Sequence, residues 1–126
     1  MTNSTYKVLV VDDNRINRMK MVRALTTGNY DLHEAAGGQE AMEMLRAQTF
    51  HLVLLDILMP EVDGFQVLQQ MQGDQRLAEI PVVMVSAVDE EDAVKKCLAM
   101  GAVDFVAKSS DAETLKNRVQ AVLKDR

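Results

Sequence analysis

The stretch F-H-L-V-L-L-D-I-L-M-P-E-V-D-G, residues 50–64, decides the fold. It holds an unbroken apolar run from Leu52 to Leu55, followed by a single carboxylate, Asp56. A short apolar run bounded by turn signals fits a strand buried on both faces. Pro60 and the pair Asp63-Gly64 mark the loop that follows. Asp56 therefore falls where a buried strand runs out into a surface loop. A charge in that position is costly unless it is paired, metal-bound or used in chemistry, which makes Asp56 the leading candidate nucleophile.

Working outward, Tyr6 to Val11 reads as a first strand with V-L-V-V at its centre. Asp12-Asp13-Asn14 ends it and can cap the next helix, whose apolar stripe is Ile16, Met19, Met21, Val22 and Leu25. Gly28-Asn29 stops that helix, and residues 30–36 form a weaker second strand. After Gly37-Gly38 a second helix offers Ala41, Met42, Leu45 and Ala47 as inward residues. A third helix runs from Gly64 to about Gln72, with Phe65, Val67, Leu68 and Met71 apolar, and Gly73 begins a polar connector. Pro81 leads into a fourth strand, V-V-M-V, that reaches Ser86. Asp89 opens a fourth helix with Ala93, Val94, Cys97, Leu98 and Met100 apolar, closed by Gly101. Val103 to Ala107 is a short fifth strand ending at Lys108. Ser110 and Glu113 have capping-box spacing, and Leu115, Val119, Val122 and Leu123 give the last helix an apolar face.

Five strands alternating with five helices argue for an α/β fold, a parallel sheet covered on both faces. Five units are too few for the eight-stranded barrel. Periodicity leaves the strand order open. A chain of 126 residues fits one domain, spanning residues 1–126 with its folded core from Tyr6 to Leu123. The net charge of −5 argues against sequence-independent binding of nucleic acid by this domain. No apolar run approaches the ~18 residues that span a bilayer, and the N-terminus lacks the apolar core of a signal peptide. The expected location is the cytoplasm. The single cysteine, Cys97, cannot close an internal disulfide and falls on a helix's apolar positions, so packing is its expected role. His33 and His51 lie away from the polar strand ends and read as structural. The acidic run Asp89 to Asp92 reads as charge at a helix N-terminus.

The chemistry collects at strand ends. Asp12 and Asp13 follow strand one, Asp56 follows strand three, and Ser86 and Lys108 close strands four and five. In an open parallel sheet these side chains gather on one edge, where such folds bind ligands. Carboxylates brought together repel and want a cation. With only oxygen ligands on offer, that cation is Mg²⁺. A lysine ammonium suits a phosphate oxygen, a serine hydroxyl can donate to another, and a carboxylate can attack phosphorus to form an acyl phosphate. Positioning and charge neutralisation carry most of phosphoryl transfer, so this small set suffices.

Four motifs carry a family resemblance: V-D-D at 11–13, D-I-L-M-P-E-V-D-G at 56–64, V-S-A at 85–87 and D-F-V-A-K at 104–108. In this order and spacing, across nearly the whole chain, the sequence resembles a two-component response-regulator receiver domain. The resemblance implies a doubly wound, flavodoxin-like sheet of order 2-1-3-4-5. It implies that Asp56 is the phosphoacceptor. Asp12, Asp13, Asp56 and the backbone carbonyl of Leu58 would hold Mg²⁺. Ser86 and Lys108 would contact the phosphoryl group, and Phe105 would be an aromatic switch turning inward with the strand-four loop. The implied donor is a phosphohistidine on a sensor histidine kinase or a histidine phosphotransfer protein. The implied readout is a changed surface on helix four, strand five and helix five, met by an effector domain or protein or by a phosphorylation-dependent homodimer. Such a domain is a signalling switch that assists its own phosphorylation and dephosphorylation, not an enzyme in the ordinary sense.

Two departures from the family pattern matter. Ser109 stands where relatives carry a proline joined by a cis peptide, and a cis bond without proline costs about 2.5–4 kcal/mol. Leu58 and Val88 are apolar where many relatives are polar, and neither can orient an attacking water. Among other functions, an aspartyl-phosphate phosphohydrolase of the haloacid-dehalogenase type needs a second aspartate where Leu58 stands. A flavodoxin-like nucleotide binder wants a Gly-, Ser- or Thr-rich loop where D-D-N-R-I-N stands. A degenerate receiver acting by binding alone would not need the intact acids.

Overall fold

The computed structural model describes residues 5–87 and 91–124. Strands β1 (Tyr6–Val11), β2 (Tyr30–Ala35), β3 (Leu52–Leu55), β4 (Val82–Ser86) and β5 (Asp104–Ala107) form one sheet of order β2-β1-β3-β4-β5. All four pairings are parallel. The sheet is the one expected, with β3 at its centre and all four of its residues buried. Helices α1 (Arg15–Leu25), α2 (Gly38–Ala47), α3 (Gly64–Gln72), α4 (Glu91–Ala99) and α5 (Ala112–Lys124) make the connections.

Successive strand residues point to opposite faces, and the two faces build two cores. Val8, Val10, Leu52, Leu54, Val83, Val85 and Val106 pack with Met21 and Leu25 of α1 and with Leu115, Val119 and Leu123 of α5. Leu9, Val11, Val53, Leu55 and Met84 pack with buried residues of α2 and α3 and with Cys97 of α4. Two faces needing cover explain why these strands are apolar throughout rather than alternating.

Several helix faces differ from the apolar stripes in the sequence. Ile16 and Met19 of α1 are exposed, at 61% and 45%. Burying Met21 and Leu25, worth roughly 1.5–3 kcal/mol each, fixes the helix rotation and turns those two outward. Ala47 at the end of α2 and Leu98 of α4 also face solvent, and Val103 precedes β5 rather than joining it. The connector after Gly73 contains a 3₁₀ turn at Leu77–Glu79, because Leu77 is fully buried and pins it to the core. Helix α5 is capped by Asp111 rather than Ser110: its Oδ1 accepts from the Thr114 amide at 2.9 Å and from the Thr114 hydroxyl at 2.8 Å. These bonds hold the Asp111 carboxyl below its ordinary range. The expected opening of α4 at Asp89 and the apolar Val88 lie outside the described residues. No described helix is long and apolar enough to cross a membrane.

Cys97 is buried and reduced, and burial pushes its thiol up, as expected of a packing residue. His51 Nδ1 accepts the Lys7 amide at 2.8 Å, and His33 lies 3.2 Å from Asp31, so both histidines sit in local structural contacts.

Candidate functional site

The parallel ladder continues one step past the strands, and this step assembles the site. The Asp56 amide donates to the Val11 carbonyl at 3.0 Å, and the Asp12 amide donates to the Ala35 carbonyl at 3.2 Å. Asp12 and Asp56 thus leave adjacent strands at the same level. On the other side Ser86 pairs with Ala107, and the Lys108 amide donates to the Ser86 carbonyl at 2.9 Å. Four strand ends are held at one edge by main-chain bonds alone.

The side chains meet there. Oxygens of Asp12, Asp13 and Asp56 lie within 4.8 Å of one another. Asp12, Asp56 and Ser86 are buried, and Asp13 is exposed at the rim. Lys108 Nζ donates to Asp56 Oδ2 at 3.0 Å and sits 2.7 Å from Asp12 Oδ2, a charge contact rather than a well-directed hydrogen bond. Asp56 Oδ1 is buried and accepts no hydrogen bond among the described residues.

Three carboxylates against one ammonium leave two negative charges in a cleft where two of the carboxylates are buried. The electrostatics follow from that imbalance. Burial raises the Asp12 carboxyl above its ordinary value, and the Asp56 charge adds to the rise. Lys108 and the Asn14 amide oppose it. Burial alone would lower the Lys108 ammonium, but its bonds and charge contacts with Asp12 and Asp56 outweigh that and raise it. The residues fit a hard divalent cation: all the ligating atoms are oxygens, the charge deficit is two, and the buried Asp12 Oδ2 and Asp56 Oδ1 accept no hydrogen bond among the described residues. The Leu58 carbonyl accepts no hydrogen bond among the described residues, which leaves it available as a ligand.

Phe105 is half-buried and packs on the α2–α4 side of the sheet, paired with Met84, two register steps before Ser86. Every peptide bond among the described residues is trans, including Lys108–Ser109.

The loop after β3 makes contacts that the sequence did not reveal. Asp63-Gly64, expected to be turn chemistry alone, does more. Asp63 caps α3 in a reciprocal box with Gln66. Gly64 passes so close to the Asp56 carbonyl that a Cβ would lie 2.2 Å from it. Glu61 takes φ 68° and the Val62 amide donates to the Pro60 carbonyl at 2.9 Å, a tight γ-turn that folds the loop back on itself. Asn14 is the α1 cap, accepting from the Asn17 amide at 3.0 Å, while its own amide donates to Asp12 Oδ1 at 2.8 Å. Arg18 donates to the Asp12 carbonyl at 2.7 Å and to Glu34 at 3.1 Å, tying α1 and β2 to the site.

Gly64→Ala is expected to lower stability by about 1–3 kcal/mol, because backbone rather than a flexible side chain must move. Gly37→Ala, where a Cβ would meet nothing within 4 Å, should stay within about 0.5 kcal/mol. Urea midpoints of the two variants measure the difference, and equal midpoints would remove the packing argument for Gly64.

Comparison with known proteins agrees with the geometry. Residues 8–120 match the model of the response regulator receiver domain. The chain is 35% identical over 116 residues to the two-component response regulator ORR3 of Oryza sativa subsp. indica, covering 89% of this chain and 88% of that one. It is 33% identical over 124 residues to the probable transcriptional regulator ycf27 of Porphyra purpurea, covering 98% of this chain and half of that protein. Among solved structures, the chemotaxis protein CheY4 of Vibrio cholerae superimposes with a TM-score of 0.87 at 27% identity, covering 95% of this chain and all of that one. A continuous motif set, the sheet order and an acidic pocket at the sheet edge therefore coincide, and the chain belongs to the response regulator receiver domains of two-component systems.

Proposed function

We propose that Asp56 accepts a phosphoryl group from a phosphohistidine on a sensor kinase or phosphotransfer protein, and that this chain thereby acts as a phosphorylation-driven switch. The observation that carries the proposal is Asp56 itself: a buried carboxylate at a strand end, one oxygen held by Lys108 and the other without a hydrogen-bond partner among the described residues. The free Oδ1 offers the attacking lone pair. A bond forms from it to phosphorus, the phosphorus–nitrogen bond of the donor breaks, and the departing imidazole takes a proton. Lys108, already positioned beside Asp56, meets the phosphoryl oxygens, and the Ser86 hydroxyl donates to another. Asp12, Asp13, Asp56 and the Leu58 carbonyl would hold Mg²⁺, which supplies positive charge where the phosphoryl oxygens gather. Hydrolysis of the acyl phosphate restores Asp56 and releases phosphate.

Phosphorylation then biases a two-state equilibrium. Phe105, half-buried on β5, is the proposed reporter, and the α4–β5–α5 surface is the proposed readout for an effector or a second copy. Intact-mass measurement after incubation with acetyl phosphate and Mg²⁺ tests the chemistry. One added phosphoryl group is expected, absent from Asp56→Asn. An unchanged gain in that variant sinks the assignment.

The charge deficit makes a separate forecast about the cation. Mg²⁺ at ten times its dissociation constant should raise stability by about 1.4 kcal/mol. Asp13→Asn removes repulsion and a ligand together. In chelator it should be at least as stable as the parent, and its Mg²⁺-induced shift should largely vanish. Thermal melts with and without Mg²⁺ read both effects, and equal shifts in the two proteins would argue against Asp13 as a ligand.

A further inference from the structure

A cavity of about 360 Å³ opens between α1 and α5, over the opposite face of the sheet from Phe105. Met21, Val85, Val106 and Leu115 line its floor, and each is nearly but not fully covered. Lys20 and Arg23 stand at its rim. Both are exposed, and neither has an acidic partner within ion-pair distance among the described residues. They leave two positive charges uncompensated at this rim, in a chain whose acidic residues outnumber basic ones by 19 to 14. The one acid at the rim, Asp111, is already engaged by Thr114.

An apolar floor beside two unpaired cations is complementary to an amphiphilic anion. A volume in the range of small-molecule sites sets the scale at a medium-chain tail rather than a macromolecule. We propose that the α1–α5 cavity binds a small amphiphilic carboxylate, its tail on Met21, Val85, Val106 and Leu115 and its head group on Lys20 and Arg23. Lys108 lines this cavity as well as contacting Asp12 and Asp56, so the two sites adjoin, but the binding proposed here does not depend on Asp56 being the phosphoacceptor.

Amide and methyl NMR spectra of the full chain, titrated with decanoate below its micelle concentration, provide the test. Saturable shifts confined to the floor residues and to α1 are expected. The double variant Lys20→Gln/Arg23→Gln changes only exposed side chains and should weaken binding about tenfold, the loss that follows from removing charge-assisted contacts. Ala24→Met, at a half-buried cavity position on a helix that tolerates methionine, should fill the space and abolish binding with unchanged circular dichroism. Decyltrimethylammonium, with the same tail and the opposite charge, should not bind. Absence of saturable shifts, equal binding of the cationic probe, or undiminished binding by the double variant would each overturn the proposal. So would shifts of the same residues that depend on protein concentration alone, which would make a second copy of the chain the occupant.

Discussion

Lys108→Met should slow formation of the acyl phosphate by about 10²–10³-fold, the usual loss when one preorganised donor to a developing anion is removed. The same variant should also be less stable in chelator. Removing one partner from a buried ion pair costs about 3–5 kcal/mol. Lys108 retains 19% exposure, and Asp12 can relieve the strain by taking a proton, so about 1–3 kcal/mol is expected instead. Because burial already raises the Asp12 carboxyl above 3.8 in the folded chain, the folded state binds that proton more tightly than the unfolded state does. The contribution is fully present below the unfolded value and is lost as pH rises through the folded one. The deficit of Lys108→Met relative to the parent should therefore shrink on acidification and be largest near neutral pH. Mg²⁺ should restore part of it by returning positive charge to the cluster. Urea unfolding at several pH values, with chelator and with Mg²⁺, measures all three signs. A deficit that ignores both pH and Mg²⁺ would mean that Lys108 acts through packing rather than charge.

The same cluster shows how far the sequence could be read. Main-chain hydrogen bonding fixes where a strand ends, so a polar residue closing an apolar run reports its position directly. Asp12, Asp56, Ser86 and Lys108 were legible for that reason. Sheet order was not legible from periodicity, since five similar strands can be permuted without changing any hydrophobic pattern. It came from the motif resemblance, and the β2-β1-β3-β4-β5 sheet agrees with it. Ile16 and Met19 misled because an apolar residue on a helix signals burial only when the helix rotation is known. That rotation is set across space by Met21 and Leu25 against the sheet.

Gly64 and Arg18 were invisible for a different reason. Gly64 is required by the approach of one backbone to another, at the Asp56 carbonyl, and no local pattern encodes a tertiary approach. Arg18 sits in a helix like any solvated arginine until the fold brings the Asp12 carbonyl and Glu34 within its reach. The Asp63–Gln66 box was recoverable from spacing alone, since an Asp followed three residues later by Gln before an apolar run is a helix-start signal. The cap of α5 shows the limit of that rule. Ser110 and Asp111 are adjacent candidates, and only the helix register chooses Asp111.

Leu58→Asn should shorten the lifetime of the phosphorylated form. Leu58 lies two residues beyond Asp56 in the loop after β3, and its side chain is 61% exposed. An isobutyl group there offers an incoming water no hydrogen bond, and its apolar bulk two residues from Asp56 is expected to shield the acyl phosphate. Asparagine removes the branched apolar bulk and adds a donor and an acceptor that can orient the water. The expected acceleration is about tenfold, below the ~10²–10⁴-fold that a true general base supplies, because an amide positions a water without taking its proton. Leu58→Ala separates the two contributions: it uncovers the approach and adds no polar group. A dephosphorylation time course should rank Leu58→Asn fastest, Leu58→Ala intermediate and the parent slowest. If asparagine and alanine accelerate equally, shielding alone sets the lifetime. If neither accelerates, Leu58 does not limit water access, and the slow reset expected from its chemistry is wrong. The lifetime decides how this chain signals, since a switch that resets slowly integrates its input and one that resets quickly follows it.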